Sequence, residues 1–125
     1  MIKVILDTNF LIYCAENKLD YATEIDSLMN EGYELVVPAQ VVMEIEELGR
    51  TAKKFSDRTA SFLALKILRA NNVKIVPANA KYADEAIISL MRIGDIVATL
   101  DQELKNKLRK SRVIVIQGVK KLAFE

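Results

Sequence analysis

Four carboxylates, Asp7, Glu44, Asp84 and Asp101, are the residues of this 125-residue sequence whose types and spacing could do chemistry. Histidine is absent and Cys14 is the one cysteine. That removes Ser-His and Cys-His nucleophilic catalysis, imidazole general bases and most zinc sites. Gly32, Gly49, Gly94 and Gly118 are the only glycines, so no phosphate-cradling glycine loop exists either. Any catalysis must run on carboxylates. Crowded carboxylates repel one another, and a hard divalent cation relieves the repulsion. Mg2+ or Mn2+ on oxygen ligands, with open positions, can bind a phosphodiester and activate a water.

Each acid also has a plain structural use. Asp7 and Asp101 precede helical segments, where an Asp N-cap contributes about 1 kcal/mol. Asp84 in a first helical turn gains from the helix dipole. Helical geometry asks for more at two positions. At about 100° per residue, Glu44 projects within about 60° of Val41 and 40° of Leu48, beside the apolar stripe that includes Ile45. Asp84 falls within about 60° of Ile87 and 20° of Met91, while Glu85 points the other way. An inward-leaning acid needs a partner, because burying an unpaired charge is costly. With no basic neighbour in sequence, that partner is expected to be a cation.

The elements that must hold these acids alternate. Strands are expected at Lys3–Leu6, Glu34–Val37, Val73–Val76, Ile96–Thr99 and Val113–Ile116, each nearly continuously apolar, as in a parallel sheet covered on both faces. Between them, Tyr21, Ile25, Leu28 and Met29 have helical spacing, as do Ala60, Leu63, Ala64, Ile67 and Leu68, and Ala83, Ile87, Leu90 and Met91. Pro38 and Pro77 each follow a strand and can end it. The expectation is an α/β fold: one domain, residues 1–125, forming a three-layer α/β/α sandwich on a five-stranded parallel sheet. Asp7 and Asp101 directly follow strands, and Glu44 and Asp84 lie in the helices after strands. All four thus fall at the carboxyl edge of the sheet, where such folds place their sites.

Composition sets the surroundings. The chain is 51% apolar and 28% charged, as in a globular protein, and no apolar run nears the roughly 20 residues that span a bilayer. The short apolar opening around Lys3 and the lone cysteine lead to a cytoplasmic expectation with no membrane partner. Cys14 sits in an apolar run and reads as packing. The net charge of +1 conceals an asymmetry: residues 1–48 carry two Lys against ten acids, a balance of −8, and residues 49–125 carry 16 bases against seven acids, +9. A polyanion held by the basic half fits this pattern, and so do two separate solvated faces. Lys105, Lys107, Arg109, Lys110 and Arg112, just beyond Asp101, are the candidate contacts to such a polyanion, with a solvated helix face as their other reading.

These residues resemble the PIN-domain nucleases over essentially the whole chain. Asp7-Thr8-Asn9 looks like the family's first motif, and Glu44 in Val41-Val42-Met43-Glu44-Ile45-Glu46-Glu47-Leu48 like its second acidic position. Ala83-Asp84-Glu85-Ala86-Ile87 resembles the third and Val97-Ala98-Thr99-Leu100-Asp101 the fourth. The resemblance implies a metal-dependent endoribonuclease using Mg2+ or Mn2+, with the four acids as metal-binding and catalytic set. It also implies that Thr8, Asn9 and Thr99 support the site, with Glu103 a weaker acidic contributor. The stretch from Asp101 through the basic segment to Ile116 is most similar to PIN domains that process ribosomal RNA, which implies a ribosome-assembly partner.

Other readings stay open. A VapC-type toxin nuclease restrained by an antitoxin keeps the chemistry and changes the biology. A catalytically inactive PIN-like RNA-binding module would bind RNA without cutting it. A phospho-acceptor receiver domain is set aside, because the first strand offers Asp7 alone and Val113–Ile116 leads to Gln117 and Gly118 rather than to a lysine. A homodimer through apolar surface of the Lys53–Leu68 helix is a further expectation.

Overall fold

The computed structural model describes residues 1–125. Its elements are β1 (Ile2–Leu6), α1 (Thr8–Glu16), α2 (Tyr21–Leu28), β2 (Tyr33–Pro38), α3 (Ala39–Thr51), α4 (Phe55–Ala70), β3 (Lys74–Val76), α5 (Ala83–Leu90), β4 (Ile96–Ala98), α6 (Gln102–Lys107), β5 (Arg112–Gln117) and β6 (Lys121–Phe124). The strands form one sheet in the order β3-β2-β1-β4-β5-β6. Five are parallel, as expected, and β6 adds an antiparallel sixth through a hairpin off β5, with Gln117 opposite Lys121.

β1 sits centrally, between β2 and β4, and its Val4, Ile5 and Leu6 are fully buried. β4, Ile96-Val97-Ala98, is equally buried. These apolar runs are covered by helices on both faces, which is why they lack the alternation of a half-exposed strand. A single cluster of 28 buried residues runs from Val4 to Leu122, so β6 belongs to the core it closes.

Two expectations need correcting. The third strand lacks the cover its apolar sequence implied: β3 is the sheet edge, with Lys74 and Ile75 exposed and Val73 just outside it. The basic segment beyond Asp101 is no single helix face. α6 ends at Lys107, Arg109 and Lys110 lie in the following turn, and Arg112 opens β5. No helix is long and apolar enough to cross a membrane.

The strand order reverses between β1 and β4: from β1 the sheet grows one way to β2 and β3, then the other way to β4, β5 and β6. Leu6 pairs with Ala98, so the residues that leave these two strands emerge side by side. That is the crevice where doubly wound sheets bind ligands.

Candidate functional site

Asp7 leaves β1 in extended conformation and caps α1. Its backbone N–H donates to Ala98 O at 3.0 Å, so the sheet ladder itself fixes its position. The carboxylate is 7% exposed and carries two hydrogen bonds. Oδ1 accepts from the Thr8 N–H at 2.8 Å, and Oδ2 accepts from the Thr99 hydroxyl at 2.7 Å. The Thr99 hydroxyl accepts in turn from the Asp101 N–H at 3.0 Å. Asp101 caps α6 through the Glu103 N–H at 2.9 Å. The sequence DTN and the sequence ATLD are thereby wired together across the switch point. Both cap readings hold.

The other two acids come from helices. Asp84, in the first turn of α5, accepts the Glu85 N–H at 2.9 Å, and its Oδ2 lies 3.9 Å from Lys107 Nζ. Tyr82, rather than Asp84, occupies the N-cap position of α5. Glu44 lies in the middle of α3 with much of its surface open to solvent, yet its carboxyl is near enough to Asp7, Thr8 and Asp84 to be partly desolvated, so the inward lean inferred from the helical wheel holds only in part. The apolar stripe it borders is buried at Val41 and Ile45.

Electrostatics link the four. Burial raises the proton affinity of Asp7 above the ordinary carboxylate range. Hydrogen bonds from Thr99 and Thr8 oppose this, and the charges of Asp101 and Asp84 add to it. Glu44 is likewise raised, by burial first and then by the charge of Asp7, with Thr8 opposing and Asp84 adding. No Lys or Arg pairs with Asp7 or Glu44. Carboxylates with this much mutual repulsion and no basic partner suit a cation. In the present geometry no three of these acids gather closely enough to grip an ion between them. The donor set is nonetheless the one Mg2+ uses, since that ion keeps several waters and needs only one or two carboxylates plus substrate oxygens.

Of the supporting residues, Thr99 is buried and holds Asp7, as described. Thr8 is buried with its hydroxyl unpaired, beside Glu44, whose proton affinity it lowers. Asn9 is exposed and makes no side-chain hydrogen bond. The basic residues divide by what already holds them. Lys105 pairs with Glu125 at 3.3 Å, Lys107 with Asp84, and Arg112 with Glu31 at 2.9 Å while lying over the Phe124 ring. Arg109 and Lys110 have no acidic partner and line a concave surface between α6 and β5.

Sequence reasoning passed over a groove of about 500 Å³ that opens beside Glu44, lined by Gln40, Met43, Arg50, Lys81 and Tyr82 among others. Gln40 is buried, and its Nε2 donates to Ala78 O and Ala80 O at 2.7 Å each. The only signal for this groove was Tyr82 itself, a bulky aromatic placed directly before the Ala83-Asp84 helix start. At the opposite edge of the sheet, Asp95 is buried, accepts from the Lys3 and Arg92 N–H groups at 2.9 Å each, and pairs with Lys3 Nζ at 2.7 Å.

Comparison with known proteins agrees with this fold. The family model described as "PIN like domain" matches residues 4–121. The chain is 37% identical over 128 residues to Ribonuclease VapC4 of Methanocaldococcus jannaschii, covering 100% of this chain and 96% of that protein. It is 31% identical over 123 residues to rRNA-processing protein fcf1 of Schizosaccharomyces pombe, and 30% identical over 114 residues to the human FCF1 homolog. These matches take in 93% and 86% of this chain but only 58% and 52% of those proteins, so the chain spans little more than half their length. Among solved structures, the PIN domain endonuclease Utp24 superposes with a TM-score of 0.77 at 27% identity, over 98% of this chain and 90% of that one.

Proposed function

The chain belongs to the PIN-like domain family, and on that premise we propose that it is a metal-dependent endoribonuclease that hydrolyses RNA phosphodiester bonds. Asp7, Glu44, Asp84 and Asp101 form its metal-binding and catalytic set. One observation carries this reading: Asp7 is buried at the sheet's switch point with no basic partner, held by Thr99 and pressed by the charges of Asp101 and Asp84. When bound, Mg2+ or Mn2+ supplies Lewis acidity toward the phosphodiester and a more acidic water.

The chain's own residues do the rest. Thr99 and the Thr8 N–H occupy one lone pair on each Asp7 oxygen and leave the carboxylate in a single orientation. Asp101 is fixed the same way by the Glu103 N–H. Lys107 lies 3.9 Å from Asp84, and a pair this exposed is weak enough to leave the carboxylate available to a cation. Arg109 and Lys110 give the RNA backbone a positive surface away from the acids.

The test is incubation of the purified protein, and of an Asp7→Asn/Asp101→Asn double variant, with structured and single-stranded RNA in Mn2+, Mg2+ or EDTA. We expect cleavage by wild type only, abolished by EDTA. Cutting that survives the double substitution would sink the catalytic assignment, and RNA binding without cutting under any metal would favour the inactive binding module.

Two biological roles share this chemistry. A relative named for rRNA processing and the superposition on Utp24 support processing of ribosomal RNA with an assembly partner. Full-length identity to a protein named Ribonuclease VapC4 supports a toxin restrained by an antitoxin. Growth arrest on expression, relieved by Asp7→Asn, would select the toxin role. A homodimer through α4, where Phe55 and Phe62 are exposed, belongs to the same proposal and is read by sedimentation. The free, buried Cys14 suits a cytoplasmic, reducing setting.

A further inference from the structure

The groove beside Glu44 contains parts that the proposed chemistry does not use. Tyr82 is 57% exposed and contributes nothing to the buried core. Lys81 Nζ lies over one face of its ring, 5.4 Å from the centre, so a stacking base would take the other face or displace the ammonium toward a phosphate. The segment that presents both residues is not loose, because Gln40 ties it to α3 through the Ala78 and Ala80 carbonyls. The same groove reaches Glu44 at one side and Ala83, the neighbour of Asp84, at the other. A solvent-facing ring, on a segment whose backbone is tied to α3, therefore stands two residues before Asp84 and in the same groove as Glu44.

An exposed aromatic ring beside a cation is what single-stranded nucleic acid recognition uses: the ring stacks an unpaired base and the cation meets the phosphate next to it. Arg50 is less available for that task, being paired with Glu47. Lys81 has no acidic partner. We propose that Tyr82 and Lys81 form a nucleotide subsite, in which one unpaired base of the RNA stacks on Tyr82 and Lys81 contacts its phosphate, adjacent to the acids. This deepens the nuclease reading and rests on it for the identity of the strand. It implies that the substrate is single-stranded, or has an extruded base, at the position next to the cut. A paired base cannot reach the ring without leaving its stack.

The test reads binding rather than cutting. A set of short single-stranded RNAs carries 2-aminopurine at each position in turn and is titrated with wild type, Tyr82→Phe and Tyr82→Ala in Ca2+. We expect the fluorescence of one position to be quenched by wild type and by Tyr82→Phe. With Tyr82→Ala the quench should disappear and the affinity fall about tenfold, within the range for loss of one base–aromatic stack. Lys81→Ala should weaken affinity for that RNA and lower its salt dependence while the quench at saturation remains. Thermal melting of each variant checks that the fold persists. No position-specific quench in wild type, or an equal one in Tyr82→Ala, overturns the proposal. Cleavage assays on the same RNAs separate the two readings: cutting without quench removes the subsite and keeps the nuclease, and quench without cutting does the reverse.

Discussion

At the scale of single residues, the bond between Thr99 and Asp7 decides how the site behaves. Thr99→Val removes a hydroxyl that donates to Asp7 and accepts from the Asp101 N–H, so it releases two acids at once. We expect a loss of about 10- to 100-fold in metal affinity or cleavage rate, the usual effect of removing a partner that orients a ligand, read by titrating Mn2+ in the cleavage assay. The raised proton affinities carry a second expectation. The folded chain holds protons on Asp7 and Glu44 at pH values where the unfolded chain has released them. Stability of the metal-free protein therefore falls as pH rises from the ordinary carboxylate range through the raised values. Asp7→Asn keeps the helix cap and removes the charge, so at neutral pH it should raise the melting temperature by on the order of a few degrees, with the gain shrinking toward pH 4. A melting temperature that drops at both pH values would show that the cap and not the charge dominates. Asp7 and Asp101 could be read from sequence because an acid directly after an apolar strand has few places to go. Tyr82 could not, since nothing local distinguishes a ring left in solvent from one that packs.

At the scale of elements, the site depends on how β1 and β4 are aligned, and Asp95 holds that alignment from the far edge. It satisfies the Lys3 and Arg92 N–H groups together with the Lys3 ammonium. Burial alone would raise its proton affinity, but the hydrogen bonds and charge of Lys3, with the Arg92 N–H, lower it. Its contribution is present above the ordinary Asp range and is lost as pH falls through the lowered value. Asp95→Ala strands a lysine and two backbone donors, and should cost about 3 kcal/mol by chemical denaturation while cleavage well below melting is preserved. The parallel strands and most helices were legible because buried β-rich runs and helical spacing are strong patterns. β6 was not: four residues, Lys121 to Phe124, are too few to show a period, and their place is set by tertiary contacts. Chief among these are the Glu24 carboxylate that accepts from the Leu122 N–H and the Glu125 N–H that donates to Val113 O. Glu44 keeps more solvent contact than its place beside the apolar stripe suggests, since a helical wheel gives direction and not how far the neighbouring element extends.

At the scale of the whole molecule, the unpaired cations Arg109 and Lys110 lie beyond α6, a helix about 9 Å long whose other end Asp101 caps. If RNA spans that distance, Arg109→Ser and Lys110→Ser should each reduce the slope of log affinity against log salt by about 0.7, with little change in rate at saturating RNA. A slope unchanged in the double variant would mean that this surface faces something other than RNA.

The hydrogen bond that completes the site joins positions 92 residues apart in the chain. A ribosome makes Asp7 early and Thr99 late, separated by about 5 to 20 seconds of synthesis. Through that interval the nascent chain has β1 without its neighbour β4, and Asp7 has no fixed orientation. On the nuclease reading proposed above, the site is therefore unfinished for most of the time the chain is being made.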